Sequence, residues 1–323
     1  MRDAAIAQPT PELGPDAGPR AGPATAAGAS TRSRAAAYVE LTKPRITTMV
    51  LVTAAVGFVL GQGVGASAGG GLPPGLLLHT LLGTGLVASC GSALNQVLER
   101  RVDARMRRTA DRPLPSGRLD PDRALAFAVL LGIVGLAELA LAVNPLTAAL
   151  GAATLVGYVF VYTPLKRVTS LATVVGAAPG AMPPVMGWAA LTGELGTGAW
   201  VLFGILFFWQ LPHFLAIAWM YRADYARAGF PMLPVLEPDG GSTARQAVLW
   251  SAALVPLSLL PSAVGLTGGV YAAGAGVLGI GYLVASLVFG HARTGVAGRR
   301  LLLVSVVYLP GILGAMLADR LLG

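Results

Sequence analysis

Nine long apolar segments dominate this sequence, and each is close to the length of about 20 residues that an α-helix needs to cross a bilayer. They lie at residues 46–64, 77–97, 124–143, 146–163, 171–191, 199–220, 246–265, 270–290 and 301–318. Inside a bilayer the backbone must satisfy its own hydrogen bonds, which favours helices. The pattern therefore predicts an all-α, polytopic membrane protein with nine transmembrane helices.

The charged residues support this prediction and suggest an orientation. Only 12% of the residues are charged, and mean hydropathy is +0.68. A soluble domain carries about 25% charged residues, so a soluble globular protein is excluded. The net charge of +8 does not indicate a nucleic-acid partner, because all 23 Lys and Arg except Arg320 fall in the N-terminal region or in every second connection between the apolar segments. By the positive-inside rule, we predict a cytoplasmic N-terminus and an outside C-terminus in the cell membrane.

The first 36 residues differ from the rest. They are rich in Pro, Ala and Gly, and they have neither enough large apolar residues to fold nor the apolar core of a signal peptide. We predict a disordered cytoplasmic tail over 1–36 and one nine-helix domain over 37–323. The single cysteine, Cys90, excludes an intramolecular disulfide and is expected to be a small buried side chain.

A stripe of polar residues lies where the second apolar segment ends. Asn95, Glu99 and Asp103 are spaced by four residues, which places them on one face of a helix. Two carboxylates and an amide oxygen are hard ligands that suit Mg²⁺, whose shell is completed by water and substrate phosphates. The alternative is a solvated helix end, in which Glu99 pairs with Arg105 and Asp103 with Arg107.

Arginines follow the stripe closely, at positions 107, 108, 112 and 118. Carboxylates that chelate a metal beside guanidinium groups that bind phosphate are typical of a diphosphate site. The same arginines also satisfy the positive-inside rule, and some of them are expected to do only that. Pro113 and Pro115 prevent the helix from continuing, so the segment should leave the membrane as a turn-rich loop.

Two further cytoplasmic ends carry candidate residues. Lys166 and Arg167 follow the fourth span, as orientation charges or as contacts of an anionic substrate. His213 lies about nine residues inside the sixth span, where an ionisable side chain indicates function. It could ligate a metal, bind a haem iron, hydrogen-bond a carboxylate, or be a neutral residue satisfied by a neighbouring helix. Asp224 lies just beyond that span and could hold a metal-diphosphate together with the first stripe.

Prolines interrupt the fifth span at positions 179, 183 and 184. They are expected to break or bend this helix, which is tolerated where the backbone lines a cavity or packs against neighbours. A cavity within the bilayer would fit a long apolar ligand, whereas simple kinking explains the prolines equally well.

Four motifs along the chain resemble those of the intramembrane prenyltransferases of the UbiA superfamily. They are "NQVLERRVDARMRRTADRPLPSGR", "YTPLKR", "GAMPPVMGW" and "WQLPHFLAIAWMYRADYARAGFPMLP". The last is similar to the subgroup that prenylates haem. The resemblance, over about 37–320, implies a nine-helix bundle around a central cavity open to the cytoplasmic side. It also implies Mg²⁺-dependent transfer of farnesyl from farnesyl diphosphate to a vinyl group of haem b, yielding haem O.

The resemblance also implies roles for individual residues. The catalytic and metal-binding residues would be Asn95, Glu99, Asp103 and Asp224. Phosphate oxygens would be bound by Arg107 or Arg112 and by Lys166. Arg167 and Tyr162, which lie in the same "YTPLKR" motif as Lys166, would also contact the substrate. His213 would face the haem. Two departures from the family pattern matter: Ala228 stands where a second carboxylate commonly follows Asp224, and Ala172 stands where an Asn is common.

Two other functions fit parts of the pattern. A prenyltransferase for a quinone precursor or another aromatic acceptor would share the metal site and the donor. A secondary transporter would place polar groups near the middle of the membrane, whereas here the acidic residues lie at the interface. The expected partners are farnesyl diphosphate, haem b, the lipid bilayer and a downstream haem A synthase.

Overall fold

The computed structural model describes residues 33–62 and 71–322, and these residues contain helices and no strand. The α-helices are α1 Arg34–Leu41, α2 Pro44–Gly61, α3 Pro74–Asp103, α4 Pro121–Glu138, α5 Pro145–Val156, α6 Thr163–Leu165, α7 Ala172–Thr192, α8 Thr197–Met220, α9 Arg222–Ala228, α10 Leu233–Leu236, α11 Gly241–Ala263, α12 Gly269–Ala292 and α13 Gly295–Leu322. Two π-helical segments, Leu139–Val143 and Gly157–Tyr162, extend α4 and join α5 to α6.

Nine helical stretches in the described residues are long and apolar enough to cross a membrane, which confirms the predicted fold class. Each of them overlaps one predicted span. From Arg34 onward the chain forms one compact unit. Most of the predicted tail lies outside the described residues, although residues 34–36 belong to α1. The orientation of the termini stays a prediction.

Local sequence explains several helix boundaries. Asp120 caps α4, because its carboxylate accepts hydrogen bonds from the backbone nitrogens of Asp122 and Arg123 at 3.1 and 3.0 Å. Asn144 separates α4 from α5 in the same way, accepting from Thr147 N at 2.8 Å. Between α3 and α4 the chain runs through turns from residue 104 to 120, as the prolines at 113 and 115 predict.

Of the two expectations for α7, a break or a bend at its prolines, the structure excludes the break. It continues without a break from Ala172 to Thr192 although it contains Pro179, Pro183 and Pro184. Helix α2 packs directly against this stretch, and a Cβ atom at Gly57 would collide with the carbonyl of Pro184. The backbone of α2 thus packs closely against the proline-containing part of α7. Packing by neighbouring helices is one way in which membrane helices tolerate proline.

Small residues also bring α3 and α4 together. The free thiol of Cys90 is buried, as predicted, and a Cβ atom on Gly132 of α4 would lie 2.8 Å from its sulfur. The larger apolar core lies among α8 and the last three long helices, where Tyr271, Tyr282 and Tyr308 are almost fully buried. The helix α3, which carries the acidic stripe, is therefore held in place by its close packing against α4.

Candidate active site

The last turns of α3 carry the predicted stripe, and its three members are buried. Asn95, Glu99 and Asp103 are 3%, 4% and 1% exposed. The intrahelical pairs of the alternative interpretation do not form, because both carboxylates pair with cations from other segments. A solvated helix end is therefore excluded.

Glu99 lies at the centre of a small polar network. Lys166 Nζ donates to its Oε2 at 2.8 Å and lies 2.7 Å from Oε1, which is buried without hydrogen-bond geometry to any partner. Asn95 donates from Nδ2 to Glu99 Oε2 at 3.0 Å and to Thr163 Oγ1 at 3.1 Å. Both hydrogen bonds use the amide nitrogen of Asn95, so its oxygen stays available to a ligand.

The π-helical segment Gly157–Tyr162 shapes the wall beside Lys166. The rings of Tyr158 and Tyr162 stack with centroids 5.5 Å apart, and Lys166 Nζ lies 4.9 Å from the centroid of Tyr162. Thr163 closes the segment by donating to the carbonyl of Tyr158 at 2.9 Å. Such π-helical segments are frequent at functional sites, and no sequence pattern predicted this one.

Asp103 and Asp224 both accept hydrogen bonds from the loop after α3. Arg112 Nη1 donates to Asp103 Oδ2 at 2.7 Å. The backbone nitrogen of Arg108 donates to Asp224 Oδ2 at 3.4 Å, which connects the loop after α3 to α9. Asp224 also pairs with Arg227 of its own helix. The loop after α3 therefore contacts α9, and a metal-diphosphate site shared by Asp224 and the α3 stripe stays a prediction.

An apolar cluster explains how these segments meet. Met106 in the loop after α3 packs with Ala228, Phe230 and Met232 of the segment after α8. Ala228 is 7% exposed in this cluster. The position where the superfamily commonly carries a second carboxylate therefore serves apolar packing in this chain.

Lys43 is a site residue that the sequence analysis treated only as an orientation charge. It is partly buried immediately before Pro44 and adopts the left-handed conformation, with φ 49° and ψ 65°. Burial, followed by the positive charges of Arg112 and Lys166, lowers the pKa of Lys43 from 10.5 to about 7, and the α3 carboxylates oppose this. Its ammonium group therefore belongs to the same electrostatic cluster. A non-glycine residue with positive φ is rare, and no sequence pattern predicted it.

Other predicted arginines lie outside this cluster. Arg107 is exposed and has no hydrogen bond or ion pair with the described residues, so Arg112 is the better phosphate candidate. Arg167 donates to the carbonyl of Leu98 at 3.0 Å. Arg118 binds both carboxylate oxygens of Glu40 at 2.8 and 3.1 Å, which ties the loop to α1.

His213 belongs to a separate region. Its Nδ1 lies 2.7 Å from Ser305 Oγ of α13, and its ring stacks on Trp209 with centroids 5.2 Å apart. None of its hydrogen bonds or ring contacts reaches the acidic residues of α3. A serine on a neighbouring helix thus satisfies one of its two ring nitrogens.

The donor atoms of the acidic cluster fit Mg²⁺. Among the described residues, no group of three His, Cys, Asp or Glu side chains could by itself enclose a metal. Mg²⁺ does not need such a cage, because it commonly uses one or two protein carboxylates and completes its shell with water and phosphate. The oxygens of Asn95, Glu99 and Asp103 are of the required type, and Oε1 of Glu99 accepts no hydrogen bond from the described residues.

Comparison with solved structures concerns the fold. Digeranylgeranylglyceryl phosphate synthase superimposes with a TM-score of 0.75 at 15% identity, covering 90% of this chain and 99% of that chain. A UbiA homologue from Archaeoglobus fulgidus bound to GPP and Mg²⁺ gives 0.60 at 16% identity, with 87% and 99% covered. The helical fold is thus shared with UbiA homologues.

Sequence comparison is more specific. The model of the UbiA prenyltransferase family matches residues 50–307. A protein named protoheme IX farnesyltransferase from Solibacter usitatus is 52% identical over 296 residues, covering 88% of this chain and 98% of that protein. Another of that name from Salinibacter ruber is 49% identical over 282 residues, covering 87% and 98%. The chain belongs to the UbiA prenyltransferase family.

Proposed function

We propose that this membrane prenyltransferase transfers the farnesyl group of farnesyl diphosphate to a vinyl group of haem b, giving haem O, and that Mg²⁺ assists the departure of diphosphate. The observation that carries the proposal is the buried cluster at the end of α3, where Glu99 and Asp103 lie among cationic side chains. Metal-binding oxygens beside cationic donors suit a diphosphate. The names of the relatives from Solibacter and Salinibacter support haem as the acceptor.

The donor would bind with its diphosphate at the cluster and its apolar chain in the membrane. Lys166 and Arg112 now donate to carboxylates, and they would turn to phosphate oxygens when the metal engages Glu99 and Asp103. Lys43 would add a third positive charge. Asn95, Glu99 and Asp103 would hold Mg²⁺, which would supply positive charge to offset the negative charge that develops on the leaving diphosphate. A UbiA homologue bound to GPP and Mg²⁺ supports this arrangement.

The reaction follows from allylic chemistry. The bond between C1 of the farnesyl group and the diphosphate oxygen breaks, and the electron pair leaves with the diphosphate. The π electrons of the vinyl group then form the new carbon–carbon bond. Water adds to the resulting carbocation on the haem side and loses a proton, which gives the hydroxyl group. The stacked rings of Tyr158 and Tyr162 offer aromatic faces to a cationic carbon near Lys166.

The location of the site fits this chemistry. The basic connections would lie in the cytoplasm, so diphosphate would be bound and released there at the cell membrane. Carboxylates that are almost fully buried lie where water is scarce, which protects the allylic cation from hydrolysis. The product would be passed to a haem A synthase as the downstream partner.

The test uses the purified full chain in detergent with haem b, farnesyl diphosphate and Mg²⁺, and it measures the mass of the haem product. We expect a mass increase of one farnesyl group plus one hydroxyl group, and its loss in Asp103→Asn. The matched control is Asp111→Asn, which removes an exposed carboxylate of the same loop. Full activity of Asp103→Asn would contradict the assignment of the site.

The acceptor is tested separately by replacing haem b with a hydroxylated aromatic acid, the type of acceptor used in quinone synthesis. We expect no prenylation of this compound. Prenylation of the aromatic acid but not of haem b would establish the alternative acceptor while leaving the metal and donor assignments intact.

A further inference from the structure

Ser305 makes hydrogen bonds to three other residues within the membrane-spanning helices, and none of these residues belongs to the diphosphate site. The residue is fully buried on α13. Its hydroxyl lies 2.7 Å from His213 Nδ1 and 2.6 Å from the carbonyl oxygen of Leu302. Its backbone carbonyl accepts a hydrogen bond from Trp209 Nε1 at 2.8 Å. The phenol of Tyr282 donates to the carbonyl of Trp209 at 3.0 Å, which joins α12 to the same network.

The proton count at Ser305 decides the tautomer of His213. A hydroxyl has one proton to donate, and the carbonyl oxygen of Leu302 can only accept. An oxygen–oxygen distance of 2.6 Å therefore requires that the proton of Ser305 point to Leu302. The hydroxyl oxygen must then accept from His213, so Nδ1 carries the proton of the neutral imidazole. Nε2 is left with a lone pair, and no hydrogen bond within the described residues reaches it.

We infer that Ser305 is a positioning residue, which holds His213 as the Nδ1–H tautomer so that Nε2 is free to bind the iron of the porphyrin acceptor. Neutral imidazole nitrogen is a common ligand of haem iron, and a hydrogen bond to the other nitrogen fixes the ring and raises its basicity. Stacking on Trp209 restrains the plane of the same ring. This inference rests on the proposed function, since it takes haem b as the acceptor.

The arrangement also separates the two substrates. The contacts of His213 are on α8 and α13, whereas the diphosphate cluster is built from α3, the loop after it and the segment after α5. A change at Ser305 should therefore alter the binding of haem and leave the binding of farnesyl diphosphate unchanged. A merely structural role would disturb both.

The experiment titrates haem b into the purified full chain and its Ser305→Ala and His213→Ala variants, and records the absorption and spin-state spectra. The wild type should show a histidine-ligated iron, which His213→Ala loses. Because loss of an outer-shell partner commonly weakens a metal–histidine bond by about 10- to 100-fold, Ser305→Ala should raise the Kd for haem by that order and shift the spin state. Ser305→Thr, which keeps the hydroxyl, should retain most of the ligation. The KM for farnesyl diphosphate should not change in Ser305→Ala.

The matched control is Ser286→Ala, which removes another buried hydroxyl, bonded to Ser251 at 2.7 Å in the same core. It should bind haem as the wild type does. Unchanged haem spectra and Kd in Ser305→Ala, a wild type without histidine ligation, or equal losses for both substrates with a lowered Tm would overturn the inference. A wild type that does not farnesylate haem b would instead overturn the proposed function.

Discussion

The two acidic segments of the candidate site are built very differently. At the end of α3, three polar side chains are buried on one helical face, and the two carboxylates pair with Lys166 and with Arg112 of the following loop. In α9, Asp224 is the only carboxylate, and Ala228 one turn later packs in an apolar cluster. The difference indicates that the α3 end would supply most of the metal ligands, whereas α9 contributes one carboxylate and apolar packing.

The largest expected effect is at α3. Glu99→Gln keeps the size of the side chain but removes the charge that faces Lys166. We expect kcat to fall by about 10²- to 10³-fold, the usual cost of losing one electrostatic contact to a transition state. Initial rates with farnesyl diphosphate and haem b measure this. An intact haem spectrum in the same variant would show that the acceptor site is unaffected, and a kcat within twofold of the wild type would contradict the role of Glu99.

A smaller effect is expected at α9. Asp224→Asn removes the charge but keeps an acceptor for the backbone nitrogen of Arg108. A hydrogen bond to a charged group contributes about 1.5–3 kcal/mol, which corresponds to a loss of activity of about 10- to 100-fold. Rates measured over a range of Mg²⁺ concentrations test this. A loss of activity larger than that of Glu99→Gln would contradict the proposal that α3 contributes more to the metal site than α9 does.

The apolar side of α9 can be tested by restoring the family pattern. Ala228→Asp would bury a carboxylate in the apolar cluster with Met106 and Phe230, while the nearby Lys166 already pairs with Glu99. We expect a lower Tm and no gain in activity, because an unpaired buried charge is costly. Ala226→Asp, at an exposed position of the same helix, is the control and should be close to neutral. Increased Mg²⁺ affinity in Ala228→Asp would show that the cluster readily accepts a second metal.

The smallest expected effect concerns Lys43 and pH. Its pKa is about 7 in the folded protein and 10.5 in the unfolded chain. Between these values the unfolded state binds more protons, so the stability of the substrate-free protein should rise as pH increases from 7 towards 10. Lys43→Met should flatten this part of the profile, whereas Arg45→Met should not. Thermal unfolding at several pH values measures the effect, and parallel profiles for Lys43→Met and the wild type would contradict it.

Much of the fold and part of the site could be predicted from the sequence. Local sequence patterns predict the nine spans, the stripe from Asn95 to Asp103 and the turn at Pro113, because each of these features depends on residues that are close in the chain. The pairing of Glu99 with Lys166 could not be predicted, since it depends on how α3 packs beside a segment that follows 67 residues later. The continuous helix through Pro184 likewise depends on the packing of α2 against α7.

The most direct measurement is calorimetric titration of a non-cleavable farnesyl diphosphate analogue into the full chain, with and without Mg²⁺ and in the absence of haem. The account predicts Mg²⁺-dependent binding to the wild type, strong weakening in Asp103→Asn, and little change in Ser305→Ala. Binding that is independent of Mg²⁺, or equally tight in Asp103→Asn, would contradict the claim that the buried carboxylates of α3 hold the metal and the diphosphate.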